Sequence, residues 1–163
     1  MVKINTAGHA APGATSGWEW LAYTNKKQLA TVKAAVSILE TSIKDHKPCN
    51  AAFKLLPGGR TFKDVLADAA IWISRDPGTT PKRFGATLGN EITVTAWSLA
   101  MGRWTVAATL VHELAHVNGA GGADSAAEDT LKSCLLTGHH NPAIIGDLIY
   151  PKPGSKLTTE KLA

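Results

Sequence analysis

Apolar positions follow a helical period in two long stretches and a strand pattern in two short ones. Over residues 26–44, Leu29, Val32, Ala35, Val36, Ile38, Leu39 and Ile43 keep helical spacing. Lys47-Pro48 is expected to end that helix, because proline disfavours helix in the residue before it. A second helix is predicted over residues 103–118. It is uncharged from Trp104 to Val111, as a helix threading a core must be. Gly102 breaks the chain before it, and residues 119–123 form a glycine-rich turn after it. Thr61 caps a short helix reaching about residue 69, with Asp64 at its third position. Residues 125–136 and 141–149 predict two more helices. Strands are expected at 70–74 and, with a β-branched run, at 91–97. A Pro- and Gly-rich loop over 76–85 separates them.

This pattern predicts an α+β fold, a small β-sheet packed with one long apolar helix and additional helices. At 163 residues, 44% hydrophobic and 18% charged, the chain fits one globular domain with a real core. Residues 1–17 read as a flexible N-terminal arm, 18–151 as a single domain and 152–163 as a polar C-terminal tail.

The net charge of +4 comes with scattered lysines and no basic stripe interleaved with aromatics, which argues against a nucleic-acid partner. No apolar run approaches the ~20 residues of a membrane span. The start of the chain lacks the apolar core of a signal peptide. The protein is therefore expected to stay in the cytoplasm, to leave by a route without a cleavable leader, or to be part of a longer chain. Cys49 and Cys134 lack C-x-x-C spacing. They form either one long-range disulfide, which points to an oxidising destination, or two buried free thiols.

The chemistry lies in His112-Glu113-Leu114-Ala115-His116. Histidines at this spacing share one face of a helix and can grip one tetrahedral Zn2+. Glu113, about 100° round the helix from His112, reaches a water on the metal and not the metal itself. Zinc lowers the pKa of such a water towards ~7, and the glutamate takes its proton as it attacks a polarised carbonyl. Residues 94–97 are expected to offer an edge strand with which an extended substrate pairs.

Zinc needs a third protein ligand and one open position. Glu128 is one candidate, brought back by the glycine turn; alternatively it closes a capping box with Ser125. Asp124 is the second candidate, or else the N-cap of the helix over 125–136. His139 or His140 is a more distant third. An oxyanion donor is sought among His139, His140 and Tyr150. Asp129 can orient a histidine from behind. Trp18, Trp20, Tyr23, Trp72, Trp97 and Trp104 are expected to anchor the core, with Trp97 or Trp104 free to line a substrate pocket.

Residues 109–117 resemble the extended signature of the zincin metallopeptidases, although Asn118 stands where an apolar residue is usual. Gly119 invites comparison with metzincins, but Gly122 occupies the position of their third ligand. The stretch from His112 to Gly119, followed by Ala127-Glu128-Asp129-Thr130-Leu131 and Cys134, is similar to metallopeptidase domains at the C-termini of bacterial polymorphic toxins and Rhs-type effectors. The resemblance implies a zincin-like fold and a secreted zinc peptidase toxin. It also implies a protein substrate in a competitor or host cell, and a cognate immunity or inhibitor protein. Two rivals stay open: a zinc amidase acting on cell-wall peptides, and a non-catalytic binding module on the same fold.

Overall fold

In the computed structural model, which describes residues 1–122 and 125–136, the uncharged stretch before His112 forms the centre of the fold. Asp124, His139, His140, Tyr150, the helix expected over 141–149 and the tail 152–163 lie outside the described residues. The elements run β1 (Lys3–Ile4), β2 (Ala14–Thr15), β3 (Trp18–Glu19), α1 (Lys26–Ile38), α2 (Lys47–Lys54) and α3 (Phe62–Ala67). They continue with β4 (Trp72–Asp76), β5 (Gly85–Leu88), β6 (Glu91–Thr95), α4 (Ala96–Met101), α5 (Arg103–Val117) and α6 (Ala126–Ser133). The fold is mixed α+β, as the pattern predicted.

Helix α5 is buried at every position from Trp104 to Val111, with α1, α4 and α6 packed around it and the sheet against it. Val106, Leu110, Val111 and Leu114 are fully buried, together with Ile73, Ile92 and Val94 of the sheet. Each such side chain contributes roughly 1.5–3 kcal/mol of burial free energy, which makes this helix the hardest element to displace. Of the hydroxyls it carries, that of Thr109 is satisfied locally: it donates to the carbonyl of Thr105 and lies 3.2 Å from Ser98 Oγ.

The main sheet has the order β1-β4-β6-β5. Its first three strands are parallel, while β5 runs antiparallel at the edge, with Gly85 opposite Val94 and Leu88 opposite Glu91. This corrects the expected edge strand over 94–97. Strand β6 is flanked on both sides, and Thr95 ends it by accepting the Ser98 N–H and capping α4. The edge on that side belongs to β5, which pairs with no further strand among the described residues and lies in a stretch read as loop as far as Gly85.

The N-terminal arm is tied into the sheet. Lys3 and Asn5 donate backbone N–H groups to the carbonyls of Ile71 and Ile73, and Val2 is buried. His9 stacks on Trp72 with ring centroids 3.9 Å apart, its Nε2 lying 2.8 Å from Glu91. Pro48 does not follow α1 as a terminator. Helix α1 closes through a wider π-turn at Leu39–Ile43, and Pro48 sits in the first turn of α2, where a missing N–H costs nothing. The predicted Thr61 cap is present, and Asp64 completes it as a capping box. Cys49 of α2 and Cys134 at the end of α6 are joined as a disulfide, closing the choice between bridge and free thiols.

Candidate metal centre

Because α5 is locked by its buried half, its last turns present His112 and His116 at a fixed orientation on the open side. Their Nε2 atoms lie 3.0 Å apart. Each ring is held from behind through Nδ1. His116 donates to the carbonyl of Ala120 at 3.0 Å, and His112 to the Glu128 carboxylate at 2.8 Å. The first bond depends on Gly119, whose φ of +92° turns the chain back sharply after α5. A side chain there would also crowd Pro57 Cβ at 3.1 Å.

These bonds fix the tautomers. A carbonyl and a carboxylate only accept, so both Nδ1 atoms carry the proton and both Nε2 atoms present lone pairs. Two lone pairs facing each other at 3.0 Å repel unless a cation lies between them. Two nitrogens ~2.0–2.1 Å from one tetrahedral zinc stand about 3.3 Å apart. The pair therefore fits a metal ion in spacing and in chemistry. Among the described residues, no group of three His, Cys, Asp or Glu side chains is arranged around one ion.

Glu128 bonds Nδ1 of His112, the ring nitrogen opposite the one that faces His116. It is not in a capping box either, since Ser125 makes no cap hydrogen bond and its hydroxyl instead donates to Asp129. Asp129 pairs with Ser125 and Lys132 at the surface, so the orienting role considered for it falls to its neighbour. Asp124, His139, His140 and Tyr150 lie outside the described residues.

Glu113 is buried beneath the cleft, and its Oε2 accepts a 2.7 Å hydrogen bond from the Thr87 hydroxyl of β5. Burial pushes its carboxyl up to about 7; Glu128 adds to the rise, while the Thr87 hydrogen bond and His116 oppose it. The strand reaches the helix this closely because residue 85 is glycine. A Cβ there would stand 2.8 Å from the Thr93 carbonyl, 2.9 Å from Thr109 Cγ2 and 3.1 Å from Glu113 Oε1.

A cleft of about 770 Å³ runs along β5 over His112, Glu113 and His116. A second chamber of about 280 Å³ adjoins it at Lys82, Arg83 and Phe84, and both share Trp18, Gly85, His112 and Glu113. Trp18, expected in the core, is thus a wall of the cleft. Trp104 is buried, and Trp97 packs edge-on against Phe84. Nothing in the aromatic pattern distinguishes Trp18; its place follows from the β2–β3 hairpin, anchored where Asp76 and Thr93 bond the backbone of Glu19.

Asn118, the departure from the zincin signature, has a structural cause. It is fully buried, donates to the carbonyls of Phe53 and Arg60, and accepts from Arg60 Nε at 3.3 Å. No family model, curated protein or solved structure matches the chain.

Proposed function

We propose that this chain is a zinc-dependent peptidase on a zincin-like fold, with His112 and His116 as metal ligands and Glu113 as general base. The observation that carries the reading is the pair of Nε2 lone pairs, aimed at each other across 3.0 Å by hydrogen bonds on both Nδ1 atoms. A cation belongs between them, and the cleft above supplies room for a substrate beside it. When bound, zinc would polarise the scissile carbonyl and acidify water.

The chain's own groups supply the rest. Glu113, with its carboxyl raised to about 7, takes a proton from the attacking water at neutral pH and returns it to the departing amine. The Thr87 hydroxyl holds its Oε2 in place. The outer edge of β5 accepts an extended peptide as an added strand, laying its backbone along the cleft. Glu128 and the Ala120 carbonyl position the two imidazoles and raise their basicity as ligands. We assign Glu128 this positioning role and leave Asp124, His139 and His140 as candidates for the third ligand. Likeness to polymorphic-toxin domains extends the reading to a secreted effector that acts on proteins and is restrained by a cognate immunity protein.

Glu113→Gln in zinc-loaded protein tests this. It should retain the metal and lose on the order of 10²–10⁴-fold in peptide hydrolysis. Hydrolysis at the wild-type rate would remove Glu113 from the mechanism.

A further inference from the structure

We propose that Lys82 and Arg83 make the smaller chamber a subsite for an acidic side chain, selecting peptides with Asp or Glu beside the cleaved bond. The inference rests on the peptidase reading and adds a specificity to it. The two chambers meet at His112 and Glu113, so a peptide whose scissile bond lies there extends into both. The smaller one, about 280 Å³, receives the side chain on one side of that bond.

Its charge is set by fixed groups. The Arg83 guanidinium lies 3.7 Å over the Trp18 ring and donates to the Gly17 carbonyl at 2.6 Å. Both partners are neutral, so they orient the cation without cancelling it. Among the described residues, no carboxylate pairs with Arg83 or Lys82. Two carboxylates, Glu113 and Glu128, also line the chamber, but they are held at its imidazole end, Glu113 by the Thr87 hydroxyl and Glu128 by the His112 ring, and neither lies within ion-pair distance of Lys82 or Arg83. Lys82 lines the chamber and holds a φ of +64°, a conformation that a residue with a side chain rarely adopts. A pre-oriented guanidinium and an ammonium around one small chamber match a carboxylate better than any neutral side chain.

Peptides identical except for Glu, Gln or Lys on either side of the cleaved bond test the proposal with zinc-loaded enzyme. Glu should exceed Gln by about tenfold or more in kcat/KM, chiefly through KM, at one of the two positions. Lys82→Gln and Arg83→Gln should each erode that preference, and Lys82→Glu should shift it towards Lys. Lys82 is exposed, so its variants leave the Arg83–Trp18 stack undisturbed. Labelled versions of the same peptides, titrated into zinc-loaded Glu113→Gln, separate the two claims. Tighter binding of Glu peptides that depends on Lys82, without cleavage by the wild type, would keep the subsite and defeat the peptidase reading. Equal binding of Glu and Gln peptides, no binding of any, or a preference that survives both Gln variants would overturn the subsite.

Discussion

Glu128, on α6, holds the Nδ1 of His112, on α5, at 2.8 Å, and thereby fixes which nitrogen His112 presents to the cleft. Removing such a partner typically costs 10–100-fold in metal affinity. Glu128→Ala should therefore weaken zinc binding by about that factor, and Glu128→Gln by less, since its amide oxygen can still accept. X-ray absorption at the zinc edge should show an unchanged number of nitrogen and oxygen neighbours in Glu128→Ala. Loss of one neighbour would make Glu128 the third ligand.

The helix that carries Glu128 is pinned by Cys49–Cys134, which closes a loop of 85 residues. Constraint of so long a loop stabilises a fold by about 4.6 kcal/mol in the chain-entropy model. Reduction, or the Cys49→Ala/Cys134→Ala pair, should lower the guanidinium unfolding free energy by roughly 2–5 kcal/mol. An unchanged midpoint would show that α6 needs no tether.

Gly85→Ala should push β5 off α5, because the added methyl meets the Thr93 backbone and Thr109 at once. A cost of about 1–3 kcal/mol is expected in urea denaturation, from overpacking. Hydrolysis should fall with it, since Thr87 and the substrate edge move together. Stability equal to wild type would mean that the strand and helix separate freely.

Metal-free protein should lose stability as pH rises from about 4.5 towards about 7 through Glu113. Its folded pKa lies above the unfolded one, so the folded state binds the extra proton in that window. The stabilisation is complete below the lower value and gone above the higher. The difference is on the order of 3 kcal/mol. Glu113→Gln should flatten that part of the profile in chemical denaturation; an unaltered slope would assign it to other groups.

The elements legible in the sequence were those whose signal is local. The apolar period of α1 and α5, the Thr61–Asp64 cap and the His112–Glu113–His116 spacing all lie within a few turns of chain. What escaped depends on distant partners. Strand β5 reads Gly-Ala-Thr-Leu, with a single β-branched residue, and becomes a strand through β6. Strand β1 exists because Ile71 and Ile73 accept its N–H groups. Trp18 reaches the cleft only because its hairpin is anchored by Asp76 and Thr93. At residue 128 two local rules competed: a capping box was possible, but the bond to His112 took the carboxylate instead.

Zinc content per chain bears most directly on all of this. Wild-type protein dialysed against a slight excess of zinc and then freed of loose metal should hold one zinc per chain, and His112→Ala/His116→Ala should hold none. Less than about 0.2 zinc in the wild type would contradict the assignment, because a site of this kind retains its metal tightly. The facing imidazoles would then be joined by a shared proton alone.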